Sequence, residues 1–135
     1  MANARQFAAN IKRRGKQLEK GINDVVVKAA LAISQTVTTA TPVDTGRARG
    51  NWQASIGTPI RAAIERLDPS GGQTIAANAR TIEGRQPEQT IYLSNNLPYI
   101  NRLNDGYSAQ APANFVRQAV ISGANSVKRT GKVFK

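Results

Sequence analysis

The side chains that most often carry chemistry are scarce in this sequence. It contains no cysteine and no histidine, so the usual thiolate nucleophile, the commonest general base and the commonest metal ligands are missing. The segment 70–72 (SGG) has neither the spacing nor the lysine of a phosphate-binding loop. Eight carboxylates remain, and no two stand at a spacing typical of an acid–base pair or a metal cage: Glu19, Asp24, Asp44, Glu65, Asp68, Glu83, Glu88 and Asp105. We therefore expect no catalytic residues, no cofactor, no metal site and no small-molecule substrate.

Length and hydropathy indicate a single folded domain and argue against a membrane protein. The 135 residues have the length of one domain, and 40% of them are hydrophobic, which suffices for a modest core. No apolar run approaches the roughly 20 residues that span a bilayer, and the first residues lack the apolar segment of a Sec signal peptide. The sequence predicts a single domain over 1–135 with no membrane association.

Positive charge is in large excess and concentrated at both ends. Nineteen Lys and Arg against eight Asp and Glu give a net charge of +11. Seven of the basic residues lie between Arg5 and Lys28, and five more lie between Arg117 and the C-terminus. Two interpretations remain open: a solvated helix face and tail, or a path for nucleic acid. Because aromatic residues are few, the second would involve only sequence-independent attraction to phosphates.

Residues 4–40 have the pattern of one long helix. Apolar residues recur at steps of three and four, from Phe7 and Ile11 to Ile33 and Val37, and most basic residues fall off this stripe. Gly15 and Gly21 each weaken the first half by about 1 kcal/mol relative to alanine. We expect residues 22–37 to pack and residues 1–20, the N-terminal extension, to order against a partner. Such a helix is longer than a domain of this size needs for its core, which indicates assembly.

The rest of the chain predicts short elements. Pro42 ends the first helix, and residues 41–46 form a tight turn in which Asp44 accepts backbone hydrogen bonds. Strands are expected at 52–56 and 90–94. The pattern at 59–67 suits either a helix or a strand, and the glycines and prolines on both sides favour a strand or an extended loop. Helices are expected at 73–83, with a left-handed cap at Gly84, at 97–104, and at 111–129, followed by a mobile tail. The fold class is α+β: a long N-terminal helix packed on a small antiparallel sheet, with shorter helices including a C-terminal one.

Three segments combine polar density with apolar anchors: 44–52, 92–100 and 102–107. For Trp52 a role as a core anchor is favoured over a role as an interface residue. Asn95 and Asn96 suit turns and caps, and Arg47 and Arg49 suit either solvent or an acidic neighbour.

The order of these segments resembles a family of phage tail-component proteins typified by gene product 10 of phage HK97. The resemblance covers roughly residues 20–121. It rests on the long helix that runs into 41–47 (TPVDTGR), on 95–106 (NNLPYINRLNDG), and on 111–116 (APANFV) before the last helix. The minor tail protein Z group shares similar features.

The resemblance implies a structural virion protein at the neck of a tailed phage, assembled in the host cytoplasm. Its relatives form coaxial rings around the channel that DNA traverses, so the implied partners are other copies of the chain, the portal or connector, the tail terminator or tail tube, and transiently the double-stranded DNA. By analogy with other neck rings, a hexamer is favoured and a dodecamer is second.

These expectations can be attached to residues. Those expected at or supporting the subunit contacts are Arg47, Arg49, Trp52, Asn95, Asn96 and Arg102. Those expected to face the DNA channel or an acidic partner are Lys12, Arg13, Arg14 and Lys16. The alternative function is that of a small, basic, sequence-independent DNA-binding protein, in which the N-terminal helix would lie on the phosphate backbone.

Overall fold

A computed structural model describes residues 3–106, 108 and 110–130, with side chains through Val127. Its elements in chain order are α1 (Ala4–Ala40), α2 (Arg47–Gly50), β1 (Gln53–Ile56), α3 (Gly72–Glu83), β2 (Ile91–Ser94), α4 (Ile100–Asn104) and α5 (Phe115–Thr130). The predicted α+β class is confirmed, with a long first helix on a small antiparallel sheet and shorter helices that include a C-terminal one. No helix among the described residues is both long and apolar enough to cross a bilayer.

Helix α1 has the predicted length and the predicted contrast between its halves. It begins with a capping box, in which Gln6 N donates to Asn3 Oδ1 at 3.0 Å and Asn3 N donates to Gln6 Oε1 at 3.1 Å. It ends at Ala40, with Thr41 as an extended C-cap directly before Pro42. Every residue from 3 to 20 is exposed, and burial begins only at Gly21. The second half of α1 is therefore the part that builds the core.

The core is centred where α1, the sheet and α5 meet. Val37, Trp52 and Ala119 form the buried cluster, and Leu93 and Val116 are among the half-buried side chains packed against it. Helix α5 lies directly on α1, and at their closest approach a Cβ on Gly123 would stand 2.8 Å from the Ile33 Cα. Only glycine fits this crossing, because a side chain would collide with backbone rather than with a flexible neighbour.

The sheet consists of the two predicted strands in antiparallel pairing, with Gln53 opposite Ser94 and Ile56 opposite Ile91. Helix α3 lies between the two strands in sequence and contacts β1 and α1. The segment 59–67 contains no helix and no strand, so of the structures expected there only the loop forms.

Several local predictions were wrong. Gly84 has φ −80° rather than a left-handed conformation, because its N–H bonds back to Thr81 and Ile82 and the turn continues. The short helix α2 was not expected. Helix α4 begins at Ile100 rather than at 97, and α5 begins at Phe115 rather than at 111, after Asn114 with φ +63°. The tail predicted at 130–135 lies, apart from the backbone of Thr130, outside the described residues, as does Tyr107.

Candidate functional site

The segment 41–52 contains one motif of the family resemblance and one of the three polar segments. It forms the junction that ends α1. Gly46 adopts φ +87° and accepts, through its carbonyl, the N–H of Gly50 at 2.8 Å and that of Asp68 at 3.1 Å. The side chain that receives a backbone hydrogen bond in this turn is Thr45, whose Oγ1 accepts the Arg47 N–H at 3.3 Å; the expected role of Asp44 was wrong. The turn thus places α2 against the C-terminal end of α1.

Arg49 binds the end of α1 from α2. Its Nη2 donates to the carbonyls of Thr39 and Thr41 at 2.9 Å each, and its Nε donates to Thr41 at 3.2 Å. Its Nη1 donates to the Pro69 carbonyl at 2.8 Å. The last carbonyls of a helix lack partners and carry partial negative charge, and the last turn of α1 contains no basic residue of its own. Arg49 supplies that charge from elsewhere in the chain.

Trp52 lies in the core, with 6% of its surface exposed. Its indole Nε1 donates to Thr41 Oγ1 at 2.8 Å, and that hydroxyl donates to the Val37 carbonyl at 2.6 Å. The side chain expected first as a core anchor therefore fills that role, and its polar edge is satisfied by the C-cap residue of α1.

Two buried asparagines that the sequence analysis did not single out stabilise the same junction. Asn51 donates to the Arg47 carbonyl at 2.8 Å and accepts the Ile64 N–H at 2.9 Å. Asn78, on α3, donates to the Trp52 carbonyl and accepts the Ala54 N–H, both at 2.9 Å. Each amide satisfies one backbone donor and one backbone acceptor, so the irregular backbone around Trp52 can be buried without unpaired groups.

The sequence also offered no reason to single out Arg66 and Asp68. Together with Asn51 and Asn78 they form a set of polar side chains around Trp52, which we call the polar layer. Arg66 donates to the carbonyls of Gly50 at 2.8 Å and Trp52 at 3.0 Å. Asp68 Oδ2 accepts both the N–H and the hydroxyl of Thr74 at 2.7 Å, at the start of α3. Burial opposes ionisation of Asp68, but the hydrogen bonds from Thr74, Gly71 and Ser70 together outweigh it, so its pKa lies below the ordinary value.

Asn95 and Asn96 connect the end of β2 to the same layer. Asn95 Nδ2 donates to the Ala48 carbonyl at 2.9 Å, and its Oδ1 accepts the Leu97 N–H at 3.3 Å. Asn96 Nδ2 donates to the Ile60 carbonyl at 2.9 Å. The prediction that both serve in turns holds for Asn95, and both also reach across the fold.

Arg47 stands at the outer side of α2. Its guanidinium is 3.6 Å from the Glu65 carboxylate, and its Nε is buried with no hydrogen-bond partner. It borders a cavity of about 250 Å³, which Asp44, Tyr99 and Gln110 also line. Arg102 lies on the exposed side of α4. Arg49, Trp52, Asn95 and Asn96 therefore form hydrogen bonds within the chain, Arg47 pairs with Glu65, and Arg102 is exposed.

The N-terminal extension places four basic residues together. Steps of one, three and four residues bring these side chains to one side of α1: Lys12, Arg13, Lys16 and Lys20. They line a shallow depression, which Ala9 and Gln17 also line. We call this the basic face. Arg14 departs from it: three residues after Ile11 and four before Leu18, it borders the apolar stripe instead. The four predicted channel residues are therefore not one patch.

The side chains that could ligate a metal are dispersed in the described part of the chain. No group of three or more Asp and Glu side chains is close enough to hold a metal ion among these residues. Comparisons with models of known families, with curated proteins and with solved structures give no match. Two features of the described surface stand out, the exposed apolar side chains of α1 and the positive charge of the basic face.

Proposed function

We propose that this chain is a structural protein of a tailed phage, a subunit of a neck ring that completes the tail end and joins it to the head around the DNA channel. The observation that carries the proposal is the N-terminal extension. From residue 4 to residue 20 it is a helix in which every residue is exposed, and it presents apolar side chains on one side and the basic face on the other.

A helix of this kind is poorly suited to a protein that works as a monomer. Most helical stability in proteins comes from packing of the apolar side rather than from intrinsic helix propensity. An unpaired apolar stripe therefore indicates a protein partner. The basic face, lying on the other side, suits a DNA channel that must attract or tolerate the duplex without reading its sequence.

The family resemblance supports the same function. In the structure, segment 41–47 directly follows α1, and segment 95–106 runs from the end of β2 through α4. Under this proposal the ring consists of copies of the chain. Six copies are favoured, and twelve are the second choice. The ring stacks between the portal or connector and the tail terminator or tail tube.

Electron microscopy of lysates from a phage that lacks this gene tests the proposal. We expect DNA-filled heads to accumulate separately from full-length tails, and complementation with the intact gene to restore joined particles. Normal joined particles from the deletion would contradict a role at the neck. Mass spectrometry of purified virions adds the location, since the proposal requires the chain in mature particles.

The second candidate, a sequence-independent DNA-binding protein, is favoured by the clustering of Lys12, Arg13, Lys16 and Lys20. Titration of a labelled duplex at several salt concentrations tests it. If this face binds phosphates, replacing Lys12, Arg13 and Lys16 by alanine reduces the slope of log K against log salt by about 2.7. Arg61→Ala, at an exposed site elsewhere, is the matched control. Weak binding with an unchanged slope would favour the neck ring.

A further inference from the structure

The second half of α1 borders an apolar groove. The groove measures about 530 Å³ and opens between α1, α3 and β2; its apolar lining includes Val25, Ala29, Ile33, Ile82, Ile91 and Leu93. A recess of about 140 Å³, which Ile22 and Glu88 help to line, lies beside α1 toward the extension.

The extension carries an apolar stripe that matches this groove in chemistry. Phe7, Ile11, Leu18 and Ile22 are 64%, 55%, 52% and 47% exposed, which is unusual for four large apolar side chains on one helix face. Steps of three and four residues continue the stripe from Ile22 into the α1 wall of the groove. The extension and the groove are thus two uncovered apolar surfaces on the same side of one helix.

These two surfaces cannot cover each other within one chain. Helix α1 is continuous from Ala4 to Ala40, and a continuous helix does not fold back on itself. The extension can reach a groove only in another copy. Its length is about 25 Å at 1.5 Å per residue, and the part of α1 that borders the recess and the groove, from Glu19 to Ile33, is about 21 Å long.

We infer that the extension of each subunit lies in the apolar groove of the next subunit, its stripe inward and its basic face outward. The inference rests on the proposed ring, for which it names the contact between neighbours. A ring that joins unlike structures above and below must be polar, so its contacts are head-to-tail rather than reciprocal. In such a ring the basic faces repeat with the ring's symmetry.

Light scattering coupled to size exclusion tests the contact with one variant on each side. We expect the unaltered chain to form an oligomer larger than a dimer, and Leu18→Asp on the extension or Ile91→Asp in the groove to run as 14.5 kDa monomers. Ala9→Asp places the same charge on the exposed, opposite side of the extension and is expected to leave the oligomer intact. Because each variant retains the surface that the other has lost, an equimolar mixture of the two is expected to form heterodimers.

Absence of cysteine from the chain allows a second measurement that does not depend on Ile91→Asp folding. A mixture of Ile11→Cys and Ala29→Cys is expected to give disulfide-linked heterodimers under mild oxidation, well above the yield of either variant alone. If the unaltered chain assembles but Leu18→Asp also assembles and the cysteines do not cross-link, the inference is wrong while the ring survives. An unaltered chain that stays monomeric contradicts both, and one that stops at a dimer contradicts the head-to-tail contact.

Discussion

Arg49 and Thr41 are joined by two hydrogen bonds, from Nε at 3.2 Å and from Nη2 at 2.9 Å to the same carbonyl oxygen. This pairing ties the end of the longest helix to a residue eight positions later, and the other guanidinium nitrogen reaches Pro69 before α3. The end of α1, the turn that follows it and the entry to α3 are thereby held by one side chain.

Replacement of Arg49 by alanine is expected to lower the free energy of unfolding by about 2 kcal/mol, since it leaves the Thr41 carbonyl, where the hydrogen bonds are part-buried, without a charged donor. Arg49→Lys is expected to recover only part of this, because an ammonium cannot reproduce the planar fork of donors. Urea denaturation followed by circular dichroism measures both. Arg61→Ala, on an exposed residue, serves as the control and is expected to change stability by less than about 0.5 kcal/mol. An equal effect at both positions would contradict the role given to Arg49.

The bond between Trp52 and Thr41 is expected to contribute measurable coupling energy. Trp52→Phe removes the indole donor, and Thr41→Val removes the hydroxyl that links it to the Val37 carbonyl. In a double-mutant cycle the two changes should be non-additive by about 1 kcal/mol. Thermal or chemical unfolding of the four proteins gives the value, and strict additivity would show that the bond contributes nothing.

Asp68→Asn is expected to destabilise the protein by about 2 kcal/mol at neutral pH, because the buried carboxylate accepts bonds from the N–H and the hydroxyl of Thr74. Its pKa is lowered in the folded state, so this stabilisation is present above the ordinary carboxyl pKa and is lost as pH falls through the lowered value. The gap in stability between the two proteins should therefore narrow below about pH 4. Unfolding measured from pH 7 downward tests this, with Asp44→Asn, at an exposed residue, as the control. A gap that is constant with pH would contradict it.

Gly15→Ala is expected to stabilise the N-terminal extension without stabilising the core. Space around Gly15 is open, and alanine is favoured over glycine in a helix by about 1 kcal/mol. Hydrogen exchange of residues 4–20 should slow in the isolated chain, while the free energy of global unfolding stays nearly constant because this half of α1 contributes no buried residue. A matching rise in global stability would show that the extension is coupled to the core.

The longer elements could be predicted from the sequence because their signals are local. The stripe from Phe7 to Val37 and the alternation from Trp52 to Ile56 have periods that a short window reveals, and both elements lie where they were expected. Helix α2 was missed because its four residues are too few to show any period. The cap at Gly84 was misjudged because the chain continues from α3 in a further turn, in which Arg85 N bonds to the Ile82 carbonyl.

The polar layer around Trp52 could not have been predicted in the same way. Asn78 bonds to a residue 26 positions away and Asn96 to one 36 positions away, and such partners depend on how the elements pack. Arg49 drew attention through a family resemblance and an expected subunit contact, while its contacts in the structure are to its own chain. Asn51, Asn78 and Arg66 have no distinctive spacing at all, so only the assembled fold reveals that they satisfy buried backbone groups.

Because the extension and the core share one unbroken helix, α1 has the mechanical character of a lever. Its length is about 55 Å at 1.5 Å per residue. Its C-terminal end packs against α5 and Trp52 and accepts hydrogen bonds from Arg49. No loop intervenes to absorb a displacement of the tip. A transverse force applied near Phe7, by a neighbouring subunit or by moving DNA, would be transmitted as torque to the packing around Val37.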